Sequence, residues 1–136
     1  MIVVDASVVL KWFFPEDGTE EARSWVDRAV PLIAPDLIVP EVGNAAWRKQ
    51  RQGEAAPEMV SSIMRETPNL LSKIVPTVEF GQEAAALAMS IDHPIYDCFY
   101  VTLAEEYDTQ VLTADRRFIN KLAGTRWANR IQSLVG

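Results

Sequence analysis

Short apolar runs that predict β-strands alternate along this chain with longer stretches that predict helices. The runs fall at residues 2–4, 32–34, 73–78 and 110–113, and the tail is a candidate for one more strand at a sheet edge. Because neighbouring parallel strands need a crossover connection, usually a helix, this alternation favours an α/β fold. We therefore expect a central, mostly parallel sheet of four to five strands flanked by helices, with a strand order that the pattern leaves open.

Helices are predicted over residues 8–14, 20–29, 36–52, 56–66, 79–90, 95–107 and 116–122. Ser7 is the predicted N-cap of the first helix, because a serine hydroxyl accepts a hydrogen bond from a free backbone N–H group. Pro40 must lie in the first turn of the third helix or kink it, and Gly53 stands where a C-terminal cap is expected. No repeat or interdomain linker interrupts the 136 residues, which predicts a single domain over 1–136.

The composition argues against a secreted protein and against a membrane-spanning one. The chain begins without the basic segment of a signal peptide, and no apolar run reaches the roughly 18 residues of a membrane span. The only cysteine, Cys98, has no partner for an internal disulfide, which fits a reducing compartment. We therefore expect a cytoplasmic protein that does not cross a membrane.

Charge is distributed unevenly. The formal net charge is −6, from 19 acidic and 13 basic residues, which by itself argues against nonspecific nucleic-acid binding. Asp115 is nevertheless the only acidic residue from position 109 to the end, and the basic residues there are Arg116, Arg117, Lys121, Arg126 and Arg130. A second basic group occurs mid-chain, at Arg48, Lys49 and Arg51. Both groups fit either solvated helix faces or phosphate contacts, and the sequence leaves the two readings open.

Two acidic residues follow predicted strands in matching positions. Asp5 follows the run 2–4 and precedes Ser7 by two residues, whereas Asp115 follows the run 110–113 and comes two residues after Thr113. Ligands of open parallel sheets bind outside the carboxyl ends of the strands. If the two strands are parallel, both carboxylates lie at the same edge of the sheet.

Two further acidic residues, Glu41 and Asp97, lie in predicted helices that are otherwise apolar, and Asn44 follows Glu41 by about one helical turn. A favourable interaction with the helix dipole, worth about 0.3–1 kcal/mol, would by itself explain Asp97, and a capping role would explain Asp5. Acidic residues are rarely buried unless they are paired or bind a cation, however. Four residues in such positions favour a shared site.

A shared carboxylate site needs a cation, because clustered carboxylates otherwise raise one another's pKa values. Oxygen ligands select Mg²⁺ or Mn²⁺, and one histidine and one cysteine leave too few ligands for a structural zinc site. The residues alone therefore predict a Mg²⁺ or Mn²⁺ pocket at the sheet edge. Since substrate phosphates commonly complete the coordination of Mg²⁺, they also indicate phosphoryl chemistry.

In these same segments the sequence resembles the PIN domain family, and within it the VapC-type toxins of bacterial and archaeal toxin–antitoxin pairs. The resemblance runs from Met1 to about Arg130 and is carried by four segments, IVVDAS, PEVGN, IYDCFYVTLA and LTADRRF. Their acidic residues match the family's acidic quartet one by one and are Asp5, Glu41, Asp97 and Asp115. Asn44 matches a polar position after the second acidic residue, and Ser7 and Thr113 match accessory hydroxyl positions.

The resemblance implies a PIN-like fold and an endoribonuclease that uses Mg²⁺ or Mn²⁺ to activate a water for hydrolysis of a phosphodiester. Asp5 and Asp97 are then expected to ligate the metal directly, and Glu41 and Asp115 directly or through water. The polar residues expected to orient these ligands or their waters are Ser7, Asn44 and Thr113.

The partners that the resemblance implies are an RNA substrate and a cognate antitoxin protein. It also implies a homodimer or a toxin–antitoxin hetero-oligomer. The basic residues directly after the fourth acidic residue, Arg116, Arg117 and Lys121, are expected to contact RNA phosphates.

Several conspicuous residues are expected to have other roles. His93, the only histidine, is not required by the metal chemistry, and Cys98 is predicted to be a small core residue. Asp92 is predicted to face solvent in a loop. The run Trp12, Phe13 and Phe14 is either core or an apolar patch for a partner. The tryptophans predicted to pack rather than to stack on bases are Trp25, Trp47 and Trp127.

Three other functions compete with a nuclease. A receiver domain needs an adjacent acidic pair after the first strand and a lysine after the last, whereas Asp5 is followed by Ala6 and Ser7. A haloacid-dehalogenase-type phosphatase needs a second aspartate where Ser7 stands. A PIN-like scaffold that binds RNA or a protein without cleavage stays open, although an intact acidic quartet argues against it.

Overall fold

The strands of this chain, in a computed structural model that describes residues 1–134, form one parallel sheet with the order β3-β2-β1-β4-β5. The strands are β1 (Ile2–Val4), β2 (Leu32–Pro35), β3 (Lys73–Val75), β4 (Val111–Thr113) and β5 (Ile131–Ser133). The prediction of an α/β fold around a parallel sheet is confirmed, and β5 is the expected edge strand of the tail. The single domain over 1–136 stays a prediction, and its last two residues lie outside the described part.

Each predicted helix is present, with ends that differ by a few residues. The helices are α1 (Ala6–Phe13), α2 (Thr19–Asp27), α3 (Ile38–Arg51), α4 (Pro57–Leu70), α5 (Gly81–Ile91), α6 (Ile95–Glu106) and α7 (Arg116–Leu122). Pro40 lies in the first turn of α3, where its missing N–H group leaves no hydrogen bond unmade. Gly53 follows α3 with φ of 80°, a left-handed conformation that favours glycine. Within residues 1–134 no helix is long and apolar enough to cross a membrane.

Three local predictions were wrong. Asp5, not Ser7, is the N-cap of α1, because the backbone of Asp5 is extended and its carboxylate accepts a hydrogen bond from the Ser7 backbone N–H group. The third strand ends at Val75, before Pro76, and the following residues form a 3₁₀ turn over Thr77–Glu79. Helix α4 continues through Pro68 to Leu70, beyond its predicted end.

The strand order reverses direction at β1. This strand pairs with β2 on one side and with β4 on the other, so the sheet is built outward from β1 in opposite directions. In open α/β sheets the loops that leave two such strands diverge, and the space between them is where ligands bind. The residues at this point are those that follow Val4 and Thr113.

The core lies on both faces of the central strands, where Val3, Val4, Val111 and Leu112 are fully buried. Helix α6 packs against β1, β2 and β4, so the helix that carries Asp97 is fixed to the middle of the sheet. Cys98 is a buried core residue, as predicted. Trp12 and Phe14 are also buried, so these two residues belong to the core and not to an exposed apolar patch.

Candidate active site

Asp5 lies at the carboxyl end of β1 and is only 7% exposed. Its Oδ1 accepts hydrogen bonds from the backbone N–H group of Ser7 at 3.0 Å and from the Ser7 hydroxyl at 2.5 Å. Its Oδ2 accepts a hydrogen bond from the Thr113 hydroxyl at 2.5 Å. Both carboxylate oxygens are therefore held by neutral donors, one group from α1 and one from the end of β4.

The hydroxyls of Ser7 and Thr113 connect the ends of β1 and β4. The Ser7 hydroxyl also accepts a hydrogen bond from the Ala114 N–H group at 2.9 Å, and the Thr113 hydroxyl accepts one from the Asp115 N–H group at 3.0 Å. Each hydroxyl thus donates to Asp5 while it accepts from the backbone after β4. These contacts fix the position of Asp5 relative to the loop that carries Asp115.

Glu41 enters the site from the first turn of α3 and meets Tyr100 of α6. The Tyr100 hydroxyl donates a hydrogen bond of 2.5 Å to Glu41 Oε1. Tyr100 is 1% exposed, and burial together with the Glu41 charge raises the pKa of its hydroxyl well above the ordinary value. The hydroxyl therefore remains a donor and holds one oxygen of Glu41.

Asp97, in the first turn of α6, is held by His93. The His93 Nε2 atom lies 2.7 Å from Asp97 Oδ2, and the imidazole ring stacks on Phe118 with ring centroids 5.9 Å apart. Because Phe118 belongs to α7, this stacking links the Asp97 side chain to the helix that begins after Asp115.

Asp115 is the N-cap of α7. Its Oδ1 accepts hydrogen bonds from the backbone N–H groups of Arg117 at 3.0 Å and Phe118 at 3.4 Å. Asp5 and Asp115 therefore both lie between the end of a strand and the start of a helix, in the matching positions that the sequence predicted.

The structure brings the four carboxylates close enough for their charges to interact. Burial raises the pKa of Asp5 to about 6 and that of Glu41 to about 7; the Asp97 charge adds to both shifts, and the Asp5 charge adds to that of Glu41. Burial also raises the pKa of Asp97, and the charge of Asp115 contributes to that shift. Hydrogen bonds from Ser7, Thr113, Tyr100 and His93 work in the opposite direction but do not offset burial.

No lysine or arginine of residues 1–134 forms a salt bridge with any of these four carboxylates. The cluster is an all-oxygen donor set with excess negative charge, which fits a hard divalent cation. Among the described residues, no three His, Cys, Asp or Glu side chains are arranged to coordinate one metal ion in the present conformation.

The remaining predicted residues lie outside this hydrogen-bonded group. Asn44 is exposed on α3, and its side chain has no hydrogen bond within residues 1–134. Arg116, Arg117 and Lys121 are exposed on α7 and have no acidic partner in the same range. Asp92 is exposed, as predicted.

The sequence analysis missed Tyr100 as a residue of the candidate site, and it considered His93 but expected no role for it there. Tyr100 lies three residues after Asp97 in a helix whose neighbouring residues are apolar, and a tyrosine buried in such a helix needs a partner for its hydroxyl. His93 lies four residues before Asp97, just outside the start of the helix, close enough along the chain for the two side chains to meet. Both signals were present, but neither identifies the partner without the fold.

Comparisons with known proteins agree with one another. The family model of the PIN domain matches residues 2–123. Ribonuclease VapC3 of Pyrobaculum aerophilum is 33% identical over 122 residues, which cover 88% of this chain and 93% of the relative. A toxin–antitoxin complex from Klebsiella pneumoniae contains a similar fold, with a TM-score of 0.70, 14% identity and 98% of each chain covered. Mycobacterium tuberculosis VapC20, a sarcin–ricin loop cleaving toxin, also has a TM-score of 0.70, at 12% identity, with 87% of this chain and 92% of VapC20 covered.

The burial of Asp5 predicts a pH-dependent effect of Asp5→Asn on the metal-free chain. Because the pKa of Asp5 rises from 3.8 to about 6 on folding, the folded state keeps a proton that the unfolded state loses, so stability falls as pH rises between these values. Asparagine does not ionise. The free energy of unfolding of Asp5→Asn, relative to wild type, should therefore increase by about 1–3 kcal/mol between pH ~4 and pH ~7.

Chemical denaturation in EDTA at the two pH values measures this difference. Asp17→Asn, a change of the same kind at an exposed position, is the matched control. A pH dependence for Asp5→Asn no larger than that of the control would show that the buried carboxylate is not the cause.

Proposed function

This chain belongs to the PIN domain family, and on that basis we propose that it is an endoribonuclease that uses Mg²⁺ or Mn²⁺ and serves as the toxin of a toxin–antitoxin pair. The observation that carries the proposal is the group of four carboxylates beside β1 that have no lysine or arginine partner in the described chain. The relative's name, Ribonuclease VapC3, supports the choice of RNA as substrate.

The proposed cation would be held by carboxylate oxygens of Asp5 and Asp97, and by those of Glu41 and Asp115 directly or through water. When bound, it supplies positive charge beside the scissile phosphate and lowers the pKa of the attacking water. Hydrogen bonds of the protein go to a single oxygen of Glu41, Asp97 and Asp115, so the other oxygen of each is the proposed ligand atom. Asp5, held at both oxygens, is the most rigid member.

The raised pKa values have a consequence for cation binding. Near neutral pH, without a cation, the protein retains protons on part of the Glu41 and Asp5 population, because burial raises their pKa values to about 7 and about 6. Ligating carboxylates must be ionised, so binding of a cation releases these protons. Ser7, Thr113, Tyr100 and His93 then orient carboxylates that carry full charge.

RNA contacts are proposed for Arg116, Arg117 and Lys121 of α7, the helix capped by Asp115. These residues are exposed and have no acidic partner in residues 1–134, so their charge is available to phosphates. The other two basic residues of the tail differ. Arg126 and Arg130 pair with Glu105, and Arg130 also with Asp108, which makes them part of the protein's own charge network.

A cognate antitoxin is the proposed protein partner, in a homodimer or a toxin–antitoxin hetero-oligomer. The support is the similar fold in toxin–antitoxin complexes, including the complex from Klebsiella pneumoniae. A partner of this kind is expected to keep the ribonuclease inactive while it is bound.

Cleavage of RNA tests the proposed function. Wild-type chain should cleave RNA in Mg²⁺ or Mn²⁺ and be silent in EDTA. Asp97→Asn, which keeps the shape of the side chain, should lower the rate by about a hundredfold or more, since it removes a ligand charge. Asp92→Asn, on the exposed residue that follows α5, is the matched control and should cleave like wild type. Cleavage that survives EDTA or Asp97→Asn would contradict a metal nuclease, and RNA binding without cleavage by wild type would favour the scaffold.

Tyr100→Phe tests the role of the hydroxyl that holds Glu41. The ring stays buried, so the free energy of unfolding should change by only about 1 kcal/mol. Mn²⁺ affinity, measured by calorimetry on the metal-free protein, should fall by about tenfold because Glu41 is no longer held in place. Tyr96→Phe, at a tyrosine that is 59% exposed, is the control. Equal Mn²⁺ affinities for the two variants would show that the Tyr100 hydroxyl does not position a ligand.

A further inference from the structure

Helix α3 carries exposed basic and aromatic residues beyond Glu41. At about 100° per residue, Arg48 lies within about 20° of Glu41 around the helix and Asn44 within about 60°. Arg51 and Trp47 lie about 80° and 120° from Glu41, on the side turned away from the buried Val42. Asn44, Arg48 and Arg51 are exposed. Arg48 therefore shares the side of the helix that carries Glu41, and Arg51 and Trp47 extend the exposed surface from there around the helix.

Trp47 is the unexpected member of this face. The sequence predicted that it packs, but it is 47% exposed, whereas Trp25 and Trp127 are partly buried against the core. The guanidinium carbon of Arg51 lies 5.5 Å from the centroid of the Trp47 ring. An exposed aromatic ring beside a cationic side chain is suited to bind a ligand that has both a planar ring and a negative charge.

The charges on this helix are divided by face. Lys49, on the inner side, lies 3.9 Å from Glu16 and 3.7 Å from Glu54 and is placed over the ring of Phe14. Arg48 and Arg51, on the outer side, have no acidic partner within residues 1–134. The helix dipole favours any basic residue in the last turn, but it does not explain why Arg51 lies beside an exposed tryptophan.

Exposed arginines without acidic partners are notable in a chain with a net charge of −6. Arg28, at the end of α2, is one of them, but five exposed basic residues without acidic partners in the described chain lie on the two helices that carry Glu41 and follow Asp115. These basic residues are Arg48 and Arg51 on α3 and Arg116, Arg117 and Lys121 on α7. Their charge is complementary to the phosphates of a chain that passes across the site.

We propose that Trp47, Arg48 and Arg51 form a second RNA-binding surface, on which an unpaired base stacks on Trp47 and flanking phosphates contact the two arginines. This inference rests on the proposed function, because it takes RNA as the ligand of the neighbouring site. Arg48 is seven residues beyond Glu41 and hence about 10 Å along the helix axis, a short distance for a nucleic-acid strand. Stacking on an exposed ring requires an unpaired base, so the surface selects single-stranded RNA or a loop.

The test measures RNA binding apart from cleavage. A fluorescein-labelled single-stranded RNA of mixed sequence is titrated with the chain made inactive by Asp97→Asn, in Mg²⁺, and binding is followed by anisotropy. In this background Trp47→Ala should weaken binding by roughly five- to 150-fold, the range for loss of one base–aromatic stack, and Trp47→Phe should retain most of the affinity. Arg48→Ala with Arg51→Ala should lower the slope of log affinity against log salt by about 1.4.

Two variants control for general loss of charge and of apolar surface. Arg28→Ala removes an exposed arginine that also lies over a tryptophan, 3.9 Å from the ring of Trp25, but at the end of α2. Met89→Ala shortens an apolar side chain of α5 that is 78% exposed. Both should leave RNA affinity within about twofold of the parent.

Affinity in Trp47→Ala equal to that of the parent would overturn the inference. If Trp47→Ala instead lowered the mass of the chain in light scattering and left RNA affinity unchanged, the face would be a self-association surface, and the inference would again fail. In either case RNA cleavage by wild type would still support the proposed function. Absence of both cleavage by wild type and RNA binding by the parent would overturn the two together.

Discussion

The burial of negative charge next to β1 and β4 is the constraint on which the rest of this molecule depends. Asp5 is almost fully buried at the end of a central strand, and burial is the largest cause of its raised pKa. The protein tolerates this position by placing two hydroxyls and a backbone N–H group around the carboxylate. Because Thr113 supplies one of the hydroxyls, the pairing of β1 with β4 and the position of Asp5 stabilise each other.

The same arrangement extends outward from Asp5 through helix α6. This helix packs on the central strands and supplies both Asp97 and Tyr100, so one element carries a carboxylate and the donor that holds Glu41 of α3. His93, just before α6, holds Asp97 and stacks on Phe118 of α7. Three helices are thereby brought to one point of the sheet edge through hydrogen bonds and a ring contact that converge on carboxylates. Buried carboxylates are costly for stability unless hydrogen bonds or a cation compensate their charge.

The sequence predicted much of the fold because the strands and helices differ in periodicity and are separated by proline and glycine. It also predicted that four acidic residues would lie near one another, since each stands at a strand end or in an otherwise apolar helix, and their charges do interact in the structure. It did not predict the roles of Tyr100 and His93. The partner of Tyr100, Glu41, lies on another helix, and the contact of His93 with Asp97 depends on the rotamers of both side chains. Nor did it predict that Trp47 is exposed, because the outward face of α3 is defined only once Val42 and Ala46 are packed against the core.

Whether the four carboxylates share a divalent cation is tested most directly by crystals of the full chain grown with Mn²⁺ and measured with anomalous diffraction at the Mn²⁺ edge. We expect one or two strong anomalous peaks among Asp5, Glu41, Asp97 and Asp115, within ligand distance of their oxygens. Crystals that contain Mn²⁺ in the mother liquor but show no peak at this position, or only peaks at surface carboxylates, would contradict a metal site at the end of β1.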